Sequence, residues 1–201
     1  MMVLRSSPAS PFGRKVKIAA RYLGLLDRIN IVAADTADPN DSLRSQNPLG
    51  KIPALVLADG SVLYDSRVII EYLDHLAGGE RLIPAGLLRF DVLRLQALAD
   101  GGMDAALLQV YEIRMRPEEA RSASWTAYQA EKVARVLAAL DAGLAPFDPC
   151  LDAGQIAVAC LLGYLDLRFS GAWRAGHPKL VAWLEAFAAA VPAFDATKMP
   201  S

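Results

Sequence analysis

Cysteine and histidine are scarce in this chain, two of each in 201 residues. Cys150 and Cys160 form neither a Cys-x-x-Cys pair nor a metal-ligand spacing, and His75 and His177 add no cluster. A zinc site and a dithiol redox centre are therefore both disfavoured. No apolar stretch approaches the ~20 residues of a membrane span, and the N-terminus lacks the uninterrupted apolar core of a signal peptide. Charge of either sign is not in excess: 21 Lys and Arg stand against 22 Asp and Glu, for a net -1. That balance gives no reason to expect nucleic acid or an anionic membrane as partner. Cys160 lies in a strongly apolar run and reads as a buried reduced thiol. The expectation is a soluble, cytoplasmic protein without a metal.

What is abundant is apolar. Hydrophobic residues make up 54% of the chain, enough for the core of one domain or of two small ones packed together. Residues 2–5 predict a short strand, and Ser6-Ser7-Pro8-Ala9-Ser10-Pro11 a turn. A helix follows from Pro11 to about Gly24, with Ser10 as its N-cap, Pro11 at the first helical position and Gly24 as its stop. Along it, Arg14, Lys15, Lys17 and Arg21 fall opposite Phe12, Val16, Ala19, Ala20 and Leu23, the pattern of a solvated face on an amphipathic helix. Residues 29–33 predict a second strand, and a polar loop leads to a short helix ending near Gln46.

The stretch Asn47-Pro48-Leu49-Gly50-Lys51-Ile52-Pro53-Ala54-Leu55 is the most informative in the chain. Two prolines and a glycine exclude a helix, and Ala54-Leu55-Val56-Leu57 has the length of a core strand. Pro53, at the strand entrance, cannot donate to a ladder. The N–H and C=O of Ile52 before it can receive another peptide backbone as if it were an added strand. A plain loop between helix and strand fits the same residues. Asp59-Gly60 then signals a hairpin into Val62-Leu63-Tyr64, and Asp65-Ser66 opens a helix with Val68, Ile69, Tyr72, Leu73 and Leu76 at core spacing. A crossover helix implies a parallel pair and the hairpin an antiparallel one, so a small mixed four-stranded sheet results.

Beyond Ala77-Gly78-Gly79-Glu80, strand signals stop and helical periods take over. Helices are predicted over 88–115, 117–144, 155–169 and 178–190. Gly101-Gly102 calls for a kink or a close approach in the first. Trp125, Tyr128, Val133, Val136, Leu137, Leu140 and Leu144 share one side of the second. The third is apolar all round, hence central, and Asp152 with Gln155 forms a capping box at its start.

An α/β unit with a proline-started third strand, joined to an all-α bundle, resembles the glutathione S-transferases over essentially the whole chain. Ser10-Pro11-Phe12-Gly13-Arg14-Lys15 is similar to that family's catalytic turn, residues 47–55 to its glutathione-binding loop with a cis-proline, and Asp65-Ser66-Arg67 to its γ-glutamyl-binding turn. The resemblance implies a thioredoxin-like domain over 1–77, a linker at about 78–86 and a helical domain over 87–201. It also implies a homodimer that conjugates glutathione, as co-substrate, to electrophilic, apolar small molecules in detoxification. A non-catalytic binding or regulatory protein of the same fold, and a glutathione-dependent peroxidase, remain open.

The site residues follow from the same resemblance. Ser10 is the candidate catalytic residue, donating a hydrogen bond to the glutathione sulfur; a serine before proline is also what helix capping alone selects, and the two roles can coexist. Phe12, Lys51, Ile52, Pro53, Asp65 and Ser66 would bind glutathione: Asp65 pairs its ammonium, Ser66 and the helix N-terminus take the γ-glutamyl carboxylate, and Lys51 either screens the glycyl carboxylate or stays solvated. Arg14 can add positive charge near the thiol or serve the surface. Ala9, Met103, Leu107, Leu108 and Tyr111 are candidates for the electrophile site. Two departures matter: no cysteine occupies the catalytic turn, which disfavours thiol transfer through the protein, and the first tyrosine is Tyr22, inside the helix.

Overall fold

In a computed structural model, residues 1–199 are described; Pro200 and Ser201, the end of the expected helical domain, lie outside the described residues. Strand β1 (Met2–Ser6) buries Met2 and Leu4. Helix α1 (Pro11–Tyr22) carries the chain across to β2 (Ile29–Ala33), which lies parallel to β1 with Met2 opposite Ile29 and Ser6 opposite Ala33. Gly24, at φ +71°, ends the helical path where the sequence predicts a stop.

The short α2 (Leu43–Gln46) precedes β3 (Ala54–Val56), antiparallel to β1 with Leu4 opposite Leu55. The Asp59-Gly60 turn returns the chain as β4 (Val62–Leu63), antiparallel to β3. The order is β2-β1-β3-β4, a mixed four-stranded sheet as expected. Helix α3 (Ser66–Leu76) buries Ile69, Ile70 and Leu73; Val68, expected in the core, is 46% exposed. Near its end, the buried Asp74 accepts from the backbone N–H of Arg81, Leu82 and Ile83 at 2.8–3.3 Å and so fixes the passage out of the sheet domain.

Five helices follow among the described residues: α4 (Leu88–Met115), α5 (Ala123–Gly143), α6 (Ala153–Phe169), α7 (Pro178–Ala190) and α8 (Ala193–Ala196). Helix α4 is one continuous helix through Gly101-Gly102. A Cβ on Gly102 would meet the Leu161 and Val136 side chains at 3.1–3.3 Å, which makes the glycine a point of close approach. Helix α5 begins at Ala123, not Pro117, because Ser122 caps it. Ser122 Oγ accepts the Trp125 N–H at 3.2 Å, and Glu112 holds the Ser122 N–H at 2.7 Å. Trp125 and Tyr128, on the same side of the helix as Val133 and Leu137 in the sequence, are 42% and 51% exposed, whereas Val133 and Leu137 are buried.

Helix α6 is buried nearly all round, between α1 on one side and α4 on the other. Its capping box is formed: Asp152 Oδ1 accepts the Gln155 N–H at 2.8 Å and Gln155 Oε1 accepts the Asp152 N–H at 3.0 Å. Cys160 is fully buried at its centre.

This central packing overturns the expected solvated face of α1. Lys15 is 0% exposed and Arg14 is 8% exposed, while Lys17 is half-buried and Arg21 alone of the four is exposed. Helix α1 is covered by α3 on one flank and by α6 and α8 on another, so it has almost no free face. Arg14 turns toward α8: it donates to the Phe194 carbonyl at 2.7 Å and lies 3.9 Å from the Phe194 ring centroid, pinning α8 to α1, while it also lines a small cavity with Ser10 and Pro11.

Candidate active site

The turn after β1 delivers Ser10 to the start of α1. Ser10 Oγ accepts the Gly13 N–H at 3.1 Å, so the serine is an N-cap as its sequence predicts. A capping hydroxyl uses only an acceptor lone pair, and its own proton stays available to a partner in the cleft. Gly13 marks a close approach: a Cβ there would fall 2.0 Å from Ser6 Oγ at the end of β1, so a larger residue would have to turn the Ser6 side chain.

The loop over 47–53 is shaped by Asn47, which is 1% exposed. Its Nδ2 donates to the Lys51 carbonyl at 2.8 Å and its Oδ1 accepts the Leu49 N–H at 3.0 Å. The Ile52–Pro53 and Tyr64–Asp65 peptide bonds are both cis. Among the described residues, no backbone hydrogen bond engages Ile52, although β3 begins two residues later. Its N–H and C=O are thus unspent polar groups at the end of a strand, the condition for pairing with an extended peptide.

Phe12, Lys51, Ile52, Pro53, Asp65 and Ser66, the six residues assigned to glutathione in the sequence, line one cavity of about 180 Å³. Asp65 caps α3: its carboxylate accepts the Arg67 N–H at 2.9 Å and the Arg67 guanidinium at 2.7 Å. The hydrogen bond from Arg67 holds the Asp65 carboxyl below its ordinary range, against the opposing effect of burial. A carboxylate offers about four acceptor positions, so capacity for an ammonium remains.

Beneath this cavity lies a set of charges that the sequence did not signal. Lys15 Nζ donates to Asp100 Oδ1 at 2.6 Å and to Ser66 Oγ at 3.3 Å. Arg67 Nε stands 4.0 Å from Asp100 Oδ2. Burial pushes the Asp100 carboxyl up, and Lys15 pulls it back. Asp104, one helical turn on, is raised by burial and by repulsion from Asp100. Lys15 lay hidden because a lysine on an amphipathic helix is ordinarily solvated.

A second, larger cavity of about 630 Å³ adjoins the first and shares Phe12, Lys51, Ile52 and Asp104 with it. Ser10 lies in its wall, with Ala9, Leu107, Leu108 and Tyr111. Met103 does not reach it; that side chain is 0% exposed and belongs to the core between the helices. Met115, Arg114, Tyr164 and Arg168 also line the cavity and were missed, the last two because α6 reads as purely structural. Among the described residues, no group of three or more His, Cys, Asp and Glu is placed to hold a metal, and no helix is long and apolar enough to cross a membrane.

Residues 9–76 match the glutathione S-transferase N-terminal domain, and residues 96–186 match the glutathione S-transferase C-terminal domain. The chain belongs to the glutathione S-transferase family. This transferase-family chain is 34% identical over 189 residues, 92% of each chain, to the uncharacterized GST-like protein YibF of Escherichia coli. A glutathione transferase family member from Pseudomonas fluorescens, solved with bound glutathione, is 41% identical with a TM-score of 0.91, each chain covered in full. A glutathione S-transferase from Methylobacillus flagellatus, also with glutathione bound, is 38% identical with a TM-score of 0.92, again over both whole chains. The thioredoxin-like sheet domain followed by an all-α domain is the fold of this family.

Proposed function

We propose that this chain is a glutathione transferase that joins the glutathione sulfur to an electrophilic carbon of a small, largely apolar molecule. Glutathione would lie in the smaller cavity. Its cysteinyl backbone pairs with Ile52, its γ-glutamyl ammonium with Asp65, its γ-glutamyl carboxylate with Ser66 and the N-terminus of α3, and its glycyl carboxylate with Lys51. That orientation carries the thiol toward Ser10. The observation that carries this reading is the continuity of the two cavities through Phe12 and Ile52, with Ser10 in the wall of the larger one.

A free thiol near pKa ~8.5 is only a few per cent ionised at neutral pH. The Ser10 hydroxyl proton and the positive end of α1 both favour the thiolate, and lowering its pKa by about two units corresponds to ~2.7 kcal/mol. The thiolate then forms the S–C bond. In a substitution the leaving group departs with its electron pair; in an addition the new carbanion takes a proton from solvent. Serine is a hydrogen-bond donor throughout and forms no covalent bond.

In this reading residues 1–77 supply the glutathione groove and 87–201 the far wall of the larger cavity, with 78–86 between them. The protein would work in the cytoplasm, as a homodimer, in detoxification. Retention on immobilised glutathione, followed by a conjugation assay with 1-chloro-2,4-dinitrobenzene, tests the proposal. Binding with turnover supports it. Failure to bind at millimolar glutathione overturns it, and binding without turnover on any electrophile leaves a non-catalytic glutathione-binding protein in its place.

A further inference from the structure

The larger cavity is not uniformly apolar. Its one carboxylate among the described lining residues, Asp104, sits in the wall shared with the glutathione groove. Arg114 lies ten residues further along α4, about 15 Å at 1.5 Å per residue, and does not line the groove. Arg168, in the last turn of α6, lines the same cavity, with Tyr111 and Tyr164. The Arg168 guanidinium carbon is 6.0 Å from the Tyr164 ring centroid. Burial pushes the Tyr164 hydroxyl up, and the charge of Arg168 and, to a smaller degree, that of Arg114 pull it back.

Neither arginine pairs with a carboxylate among the described residues, whereas Arg67, Arg116 and Arg174 each do. Arg168 Nε is moreover buried with no hydrogen-bond partner among the described residues. Two arginines in one cavity wall without a carboxylate partner make that wall complementary to a ligand that brings one. A guanidinium fork fits a carboxylate in two parallel hydrogen bonds, and phenol hydroxyls can serve the remaining lone pairs.

We propose that the second substrate carries a carboxylate on its apolar body, held by Arg168 and Arg114, while the body packs on Leu107, Leu108 and Met115. This inference rests on the glutathione reading, since the electrophilic carbon must meet a sulfur held near Ser10. It adds to that reading a charge that an apolar pocket alone does not call for.

Two glutathione adducts provide the test: S-benzylglutathione and S-(4-carboxybenzyl)glutathione, titrated calorimetrically into the intact protein and into Arg168→Gln. The wild-type chain should bind the carboxylated adduct about tenfold more tightly, and the variant should lose most of that ratio. Using the ratio of two affinities cancels any general weakening in the variant. Arg168→Lys, which keeps the charge but not the fork, should retain part of the preference. Equal binding of the two adducts by the wild-type protein overturns the carboxylate subsite and leaves glutathione binding intact. Failure of both adducts to bind removes the glutathione reading and this inference with it.

Discussion

Lys15 Nζ lies 2.6 Å from Asp100 Oδ1, with side chains that are 0% and 8% exposed. The pair crosses from α1 to α4 directly beneath the residue that opens α3, since the same ammonium donates to Ser66 Oγ. A buried ion pair adds little net stability, but removing one member strands the other in a medium that solvates it poorly. The contact therefore fixes the relative position of the two domains at the groove more than it strengthens the fold.

Lys15→Met should cost about 3–5 kcal/mol in denaturant unfolding at neutral pH, and Lys15→Met/Asp100→Leu should recover much of that. Because burial already raises the Asp100 carboxyl, the folded chain holds that proton more tightly than the unfolded chain does. The contribution of such a group is present below the ordinary carboxylate range and is lost as pH rises through the folded value. Lys15→Met raises it further, so its stability deficit should shrink on acidification. A deficit independent of pH would show that Asp100 is not the group left unpaired.

Ser10→Ala removes the cap and the hydroxyl donor together. It should lower stability by about 1 kcal/mol, and turnover by about 10²-fold, with little change in glutathione affinity. Ser10→Thr keeps both functions and should restore much of the rate. Undiminished turnover in Ser10→Ala would reduce Ser10 to the capping role that its bond to the Gly13 N–H already fills.

Burial pushes the Cys160 thiol up from 9.0 to about 11, while Cys150 is exposed. A thiol reagent at mildly alkaline pH should modify Cys150 rapidly in the native protein and Cys160 only on unfolding. Between about 9 and about 11 the unfolded chain gives up the Cys160 proton before the folded chain does. Stability should therefore fall across that window by ~3 kcal/mol, and Cys160→Ala should remove that part of the alkaline loss.

Leu87, Leu88, Phe90 and Val68 are 85%, 66%, 65% and 46% exposed, and the Arg89–Glu71 ion pair brings the start of α4 against α3 where they lie. Exposed apolar side chains gathered at a helix junction are what a subunit interface would cover, and the proposed homodimer would use this face. Sedimentation of the wild-type protein should give a dimer, and Phe90→Asp should shift it toward monomer at micromolar concentration. A monomeric wild-type chain would remove the dimer from the proposed function.

Features that depend on near neighbours along the chain are legible without the fold. The Ser10 cap, the Asp152–Gln155 box, the Asp59-Gly60 hairpin and the loop over 47–55 each rest on contacts a few residues apart, so composition and spacing suffice to read them. The mixed sheet followed from those same elements, because crossover and hairpin connections restrict strand direction. Tertiary structure decided which face of each helix is inside. Periodicity names one apolar stripe per helix, but α1 is covered on several sides, so Lys15 and Arg14 meet partners 85 and 180 positions away. The same long-range packing turned Met103 into the core, left Trp125 in water and brought Arg114 and Arg168 to one cavity from separate helices. A side chain's electrostatic role depends on what the fold sets against it, and no local pattern carries that information.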